Sequence, residues 1–275
     1  MQARIIKIMK PITEIPTEFC KRINTVFVDI DDTISTEGKI LPEAYSAMWQ
    51  LYDHGINVVP ITGRCAGWVD HIARMWPVKG VVGENGAFYA YMDYSQPIPK
   101  LKKRYYFPPQ TVKELKAKFE DIKKEVFARF PTAAVASDQP YREFDLAIDF
   151  CEDVPPLKPE DVDEIVKIYE KNGAKTKISS IHVNGWFGDY DKLTMTKIFA
   201  KEILNINELE LRSTCIFVGD SPNDQPMFVY FPYSVGVKNI EKFIQKIQKP
   251  PAYKCSKIGG LGFAEMVAVI LSKRS

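Results

Sequence analysis

The amino-acid sequence predicts an α/β fold in which a doubly wound parallel sheet carries an inserted α+β module. Short apolar, mostly β-branched stretches alternate with helical stretches up to residue 87, and the same texture returns near residue 189. This alternation is typical of strand–helix–strand units, whose strands pair in parallel. Residues 88–188 differ, because pairs of strand-like stretches there flank long helical ones. The sequence therefore predicts one sheet domain that is split by a second unit.

Residues 1–24 are expected to form an arm or a short helix that leads into the first strand. Pro42 suits the first turn of a helix, and Gly55 is a natural left-handed terminator for it. Pro60 lacks the N–H that a ladder needs, so it is expected where strand pairing ends. The first half of the sheet is predicted as strand 26–29, helix 42–53, strand 56–61, helix 66–75 and strand 78–82.

The inserted module is predicted to comprise residues 88–188, and the sheet domain residues 1–87 and 189–275. The sheet domain is expected to be Rossmann-like. Module elements are predicted as strands 88–92 and 101–107, helix 111–130, strands 133–137 and 144–150, helix 159–171 and strand 177–183. The second half of the sheet domain is predicted as helix 192–204, strands 215–218 and 233–237, and helix 262–271.

Composition limits the classes of partner. The chain has 275 residues, 45% hydrophobic content and a net charge of +2, so no general attraction to nucleic acid or to a membrane is expected. Its five cysteines are scattered and odd in number, which fits a reducing compartment. The first 19 residues do not resemble a signal peptide, and no stretch is long enough to span a bilayer. We expect a cytoplasmic protein.

The strongest chemical signal follows the first strand. Asp29, Asp31 and Asp32 interrupt an apolar run and precede Thr33. In extended geometry Asp29 and Asp31 project to the same side, where two carboxylates need a cation or a shared proton. An acidic turn without chemistry explains this stretch about equally well when it is taken alone.

Three further polar clusters change that balance. Thr62-Gly63-Arg64 and Asp220-to-Asp224 follow predicted strands, at the edge where open α/β sheets bind ligands, and Lys192 begins a predicted helix. Phosphoryl transfer needs a nucleophile, a cation on the phosphoryl oxygens and fixed donors around the developing charge. A carboxylate can be that nucleophile, and Mg²⁺ prefers oxygen ligands.

In order, these four clusters resemble the motifs of the haloacid dehalogenase-like hydrolase superfamily. Glu84-Asn85-Gly86-Ala87 and the inserted module resemble its type-IIB capped branch, which includes Cof-type sugar phosphatases and sucrose- and trehalose-phosphate phosphatases. The resemblance covers nearly the whole chain from Thr25 onward. It implies that the inserted module is a cap domain over a phosphate site.

The resemblance also implies roles for the matching residues. Asp29 would be the nucleophile, and Asp31 the general acid that later acts as general base. Thr62, the Gly63 amide and Lys192 would bind the phosphoryl group. The implied Mg²⁺ ligands are Asp29, the backbone carbonyl of Asp31, Asp220 and Asp224, the last as a ligand or as a partner of one. Ser221 and Asn223 would support the loop.

Specificity is expected to depend on residues near the cap. The candidates for substrate binding are Arg64, Asn85, Arg142, His182 and Asn184. A surface ion pair with Glu143 as its neighbour is the simpler interpretation of Arg142, and ordinary packing is the simpler interpretation of His182. The branch often has an acidic residue near the position of His182, so this departure leaves the identity of the sugar open.

The leading hypothesis is a Mg²⁺-dependent phosphomonoesterase that acts on a small phosphorylated sugar or related metabolite. A phosphosugar mutase or phosphotransferase of the same branch, a catalytically silent metabolite-binding regulator and a scaffold protein are alternatives. The acidic cluster implies loss of activity without metal, since four carboxylates face essentially one lysine. A monomer or a homodimer is expected.

Overall fold

The computed structural model describes residues 9–178 and 181–274, which form a large sheet, a small sheet and a short hairpin. The strands are β1 (Lys10–Pro11), β2 (Thr25–Asp29), β3 (Ser35–Thr36), β4 (Lys39–Ile40), β5 (Asn57–Ile61), β6 (Val81–Gly83), β7 (Phe88–Asp93), β8 (Lys100–Tyr105), β9 (Ala134–Val135), β10 (Asp145–Asp149), β11 (Lys175–Ile178), β12 (His182–Trp186), β13 (Cys215–Gly219), β14 (Ser234–Gly236) and β15 (Tyr253–Lys254).

The large sheet has nine strands among the described residues, in the order β1-β15-β14-β13-β2-β5-β6-β7-β8. Pairing is parallel from β1 to β6, and β7 and β8 add antiparallel strands at one edge. The chain runs from β2 outward through β5 and β6, and later returns to the other side of β2 as β13. The carboxyl ends of β2 and β13 therefore meet at the point where the strand order reverses, which is where such sheets bind ligands.

Helices cover both faces of the large sheet, as its uninterrupted apolar strands require. Val26, Val28 and Ile216 face one hydrophobic layer, and Phe27 and Phe217 face the other. The helices are α1 (Thr17–Arg22), α2 (Pro42–Asp53), α3 (Ala66–Met75), α4 (Pro109–Arg129), α5 (Pro159–Lys171), α6 (Lys192–Glu202), α7 (Glu208–Thr214), α8 (Gln225–Tyr230) and α9 (Gly259–Ser272). The predicted α/β fold is confirmed.

The strand pair β7 and β8 corrects the predicted position of the module. Both strands were predicted within residues 88–188, but they extend the large sheet, where Val81 pairs with Ala90. Only Glu84–Gly86 and Ala87 connect β6 to β7, and so short a connection makes the two strands antiparallel neighbours. The small sheet, in the order β11-β12-β10-β9, takes its strands from residues 134–186. The sheet topology therefore places the start of the inserted unit near α4 rather than at residue 88.

Two further local predictions differ from the structure. The single strand predicted at 177–183 is the hairpin of β11 and β12, although residues 179 and 180 lie outside the described residues. Pro60 lies inside β5, where its partner in the neighbouring strand is Val28. The backbone of Pro60 faces β6, because Val58 and Thr62 bond in that direction and pairing with β6 begins only at Ile61. The missing N–H therefore costs the β2–β5 ladder nothing.

Candidate active site

Three adjacent strands of the large sheet carry the polar residues of the site at their carboxyl ends. Asp29 ends β2, Thr62 follows β5, and Asp220 follows β13. Because β2 pairs with both β5 and β13, these side chains lie at one edge of the sheet. Lys192, the first residue of α6, lies at the same edge of the sheet, where it bonds to Asp29.

Asp29, Asp220 and Asp224 form a compact group of carboxylates. Each offers an oxygen, and these oxygens lie within 4.8 Å of one another. Asp224 is fully buried, and Asp29 and Asp220 are each 6% exposed. The Nζ of Lys192 donates to Oδ1 of Asp29 at 2.6 Å and to Oδ1 of Asp224 at 2.9 Å. One lysine therefore holds two of the three carboxylates.

The arrangement around Asp224 depends on close packing with β13. The backbone N–H of Asp220 donates to Oδ2 of Asp224 at 3.2 Å. A Cβ on Gly219 would lie 2.4 Å from that oxygen, so only glycine fits there. The carbonyl of Ser221 accepts from the N–H of Asp224 within the turn Pro222–Asp224, and Asn223 is exposed on that turn. Backbone groups thus fix Asp224.

The negative charge of this group of three carboxylates is only partly neutralised by Lys192. Burial raises the pKa of Asp29 to about 7, with Asp224 and Asp31 raising it further against Lys192. Burial and the neighbouring charge of Asp29 raise the pKa of Asp220 to about 8. Burial lowers the pKa of Lys192, but Asp224 and Asp29 outweigh burial and raise it. Three buried carboxylates with one ammonium are a donor set that fits a hard divalent cation such as Mg²⁺.

Asp31 lies apart from this group, at the mouth of the site, with its side chain 49% exposed. The guanidinium of Arg64 donates to Oδ1 of Asp31 through Nε at 2.9 Å and through Nη2 at 2.6 Å, and Nε also reaches Oδ2 at 3.2 Å. Arg64 in turn stacks on Trp68, 4.7 Å from the ring centroid. Arg64, predicted to bind substrate, here binds the predicted general acid instead.

The loop after β5 presents donors beside the carboxylates. Thr62 is fully buried, and its Oγ1 accepts from the N–H of Arg64 at 2.9 Å. The N–H of Asn85 donates to the carbonyl of Thr62, and the Asn85 amide lies against Gly63. Asn85 has a positive φ of 56°, which the turn between β6 and β7 requires. The structure therefore brings together Asp29, Thr62, Gly63, Asn85 and Lys192.

Two of the candidates on the small sheet are paired within the cap. Arg142 is buried and binds Asp138 at 2.7 Å and Asp145 at 2.9 Å. The expected alternative of an ion pair therefore describes Arg142 well, except that the pair is buried and Glu143 bonds to Lys103 instead. Asn184 donates to Oδ2 of Asp145 at 3.3 Å. Neither side chain reaches toward the carboxylate group through these bonds.

His182 belongs to a separate polar group at the far end of β12. Its Nε2 lies 2.9 Å from Oε2 of Glu152, and both lie beside Asp149. Asp149 accepts the backbone N–H groups of residues 151–153, which lowers its pKa despite burial. This group is therefore largely satisfied by its own contacts.

Two residues of this region were missed by sequence reasoning. Glu84, only 1% exposed, accepts from the N–H groups of Ala66, Glu143 and Phe144, and burial with Asp145 nearby raises its pKa to about 8. Lys177 lies on β11, which the sequence predicted as part of a single strand over 177–183. For Glu84 the motif-like stretch around Asn85 was a signal; for Lys177 the signal was only a lysine within a strand.

Comparison with known proteins now defines the class. Residues 26–145 match the family model described as haloacid dehalogenase-like hydrolase. The predicted resemblance to this family is therefore confirmed for residues 26–145, which contain the first two of the four motifs. No curated protein matches the chain.

The fold is shared with several solved structures. A Thermoplasma acidophilum protein has a TM-score of 0.69 and 18% identity, over 90% of this chain and 98% of that one. A phosphatase from Bacteroides thetaiotaomicron has 0.62 and 16%, over 92% and 96%. The sucrose-phosphatase of Synechocystis, solved with sucrose and phosphate, has 0.62 and 15%, over 91% and 98%. At these identities the likeness concerns the fold alone.

Proposed function

We propose that this protein is a Mg²⁺-dependent phosphomonoesterase that hydrolyses a small phosphorylated sugar or related metabolite through an aspartyl-phosphate. The observation that carries the proposal is the buried group of Asp29, Asp220 and Asp224 with Lys192 bonded to two of its members. Such a group has little structural use, since buried like charges destabilise a fold, but it suits phosphoryl transfer. A bound Mg²⁺, held by Asp29, Asp220 and Asp224, would neutralise charge on the phosphoryl oxygens.

In this proposal Asp29 attacks phosphorus and the ester bond to the leaving oxygen breaks. Lys192 holds Oδ1 of Asp29 and so fixes the orientation of the attacking carboxylate. The backbone N–H of Gly63 and the hydroxyl of Thr62 bind phosphoryl oxygens as negative charge spreads over them. The aspartyl-phosphate formed on Asp29 is an acyl phosphate, which water then hydrolyses.

Asp31 moves the protons in both steps. It delivers one to the leaving alkoxide and later takes one from the attacking water. Arg64 occupies both oxygens of Asp31, so the guanidinium must turn away before that proton transfer. Substrate oxygens at the mouth of the site are natural new acceptors for Arg64, which keeps its predicted role in substrate binding within the proposal.

Location, partners and assembly belong to the same proposal. No helix among residues 9–178 and 181–274 has the length and apolar character to cross a membrane. We propose a cytoplasmic enzyme whose partner is a small phosphorylated metabolite, as a monomer or a homodimer.

The test is phosphate release from a panel of sugar phosphates with Mg²⁺, for the wild type, Asp29→Asn and the surface control Asp53→Asn. Asp29→Asn should abolish release, by at least a thousandfold, because the amide cannot form the covalent intermediate. Asp53→Asn should match the wild type. Undiminished release by Asp29→Asn would refute the mechanism. Conversion of substrate without free phosphate would indicate a mutase, and metabolite binding without turnover would indicate a regulator.

A further inference from the structure

Among the described residues, α4 and α5 pack on one face of the small sheet. Leu146, Ile148 and Val183 pack with residues of α4 and α5 in one hydrophobic cluster. Because neighbouring residues of a strand point to opposite faces, Ala147 and Asn184 lie on the other face, which we call the roof. Lys177 is the register partner of Asn184 on β11, so it also belongs to the roof.

The roof faces the carboxylate group of the active site. Burial and the charge of Lys192 lower the pKa of Lys177 to about 8, and Asp224, Asp29 and Asp31 act in the opposite direction. Asp29 ends β2, Asp31 follows it, and Lys192 and Asp224 belong to α6 and the loop after β13, so all four lie at the carboxyl edge of the large sheet. Glu84 ties the two sheets together nearby, through the N–H groups of Glu143 and Phe144.

Lys177 differs from Lys192 in having no direct partner. Lys192 forms two short ion pairs, whereas within residues 9–178 and 181–274 Lys177 forms no ion pair and is half-buried. A half-buried ammonium without a partner loses hydration and gains no bond in return. Metal binding to the carboxylates would also cancel the long-range attraction that now offsets this cost.

The charge of the complete site indicates what Lys177 would bind. Asp29, Asp220 and Asp224 with Lys192 and a divalent cation sum to zero, and Asp31 with Arg64 also sums to zero. A phosphate dianion then leaves the site at −2, and an ester with another acidic group leaves it more negative. Lys177 is a cation on the roof that faces this excess charge, whereas Lys175 on the same face is paired with Asp189.

We propose that Lys177 is a substrate-binding residue whose ammonium binds an anionic oxygen of the phosphate ester from the roof. The inference rests on the proposed function and deepens it, since it adds a contact that the four motifs do not contain. The anionic oxygen belongs either to the phosphoryl group or to a second acidic group on the leaving portion. Both groups would offer the same anionic oxygen to Lys177. Replacement of Lys177 would weaken the binding of every phosphate ester in the first case and only the binding of doubly acidic esters in the second.

The experiment compares Lys177→Gln with Lys175→Gln, a control two residues earlier on the same face. Lys175 is exposed and pairs with Asp189, away from the carboxylates. The probe is inorganic phosphate with Mg²⁺, measured by calorimetry and as an inhibitor, together with KM and kcat for p-nitrophenyl phosphate and for esters that carry a second acidic group. Loss of a charge-assisted bond should weaken binding about tenfold to a hundredfold.

Weaker binding of inorganic phosphate to Lys177→Gln, with Lys175→Gln within twofold of the wild type, would assign the contact to the phosphoryl group. Unchanged phosphate binding with a raised KM only for the doubly acidic esters would assign it to the second group. Unchanged phosphate binding and unchanged KM for every ester would overturn the proposal. If the wild type releases no phosphate, the proposed function fails, and the calorimetric comparison still decides the role of Lys177.

Discussion

The metal-free protein should lose stability as the pH rises, because two of its buried carboxylates hold protons more tightly when folded. The pKa of Asp29 rises from 3.8 to about 7 and that of Asp220 from 3.8 to about 8. A folded-state pKa above the unfolded value stabilises the fold fully below pH 4, and this stability is lost as the pH rises through 7 to 8. The sign is opposite to that of a carboxylate in a simple salt bridge.

The magnitude follows from the shift. Three pKa units correspond to about 4 kcal/mol for one group. The contributions of Asp29 and Asp220 are not summed, because the charge of Asp29 is itself a cause of the raised pKa of Asp220. In excess chelator, the free energy of unfolding from urea titrations should therefore fall by about 3 kcal/mol between pH 5 and pH 8.5, because about one unit of the Asp29 shift has already been lost at pH 5. Saturating Mg²⁺ should reverse the loss, since a ligand that binds only the folded state stabilises it.

Asp220→Asn separates this effect from other titrations. In chelator at pH 8.5 the variant should be more stable than the wild type, and it should gain much less from Mg²⁺. A wild type whose stability in chelator is the same at both pH values, and whose gain from Mg²⁺ equals that of Asp220→Asn, would refute this account of the carboxylate group.

Two other substitutions test packing around the site. Arg142→Met should lower the free energy of unfolding by about 3–5 kcal/mol, since it leaves the carboxylate of Asp145, 2% exposed, buried without its ion-pair partner. Urea titration measures the change, with the exposed Arg129→Met as the control. A loss below about 1 kcal/mol would contradict the prediction. Gly219→Ala places a Cβ 2.4 Å from Oδ2 of Asp224, so calorimetry should find Mg²⁺ bound at least tenfold more weakly. An unchanged dissociation constant would show that Asp224 does not need its present position.

The sequence predicts the large sheet and its site well because each signal there is local. Burial on both faces makes β2 and β13 continuous apolar runs, and the polar residues that follow them mark the ligand edge. The end of α2 is also local, since Gly55 has the positive φ of 69° that the terminator needs. The positions of Asp29, Thr62 and Asp220 at the ends of strands and of Lys192 at the start of a helix could therefore be predicted without coordinates.

The small sheet is predicted less well because its decisive contacts are between distant residues. The sequence of a strand pair is the same whether the pair extends one sheet or begins another. Only the pairing of Val81 with Ala90 shows that β7 belongs to the large sheet. Arg142 looks available in sequence, and only the structure shows Asp138 and Asp145 around it. For Lys177, the prediction of one strand over 177–183, where the structure has β11 and β12, concealed the face on which the residue lies.

The bonds of Glu84 have a mechanical consequence. One buried carboxylate holds the start of α3, through Ala66, and the chain entering β10, through Glu143 and Phe144. Its neighbour in sequence, Asn85, lies against Gly63 in the loop after β5, which we propose to bind phosphate. A displacement of the roof would therefore also move Glu84 and the adjacent Asn85, which contacts the loop after β5. The small sheet and this loop are thus mechanically coupled.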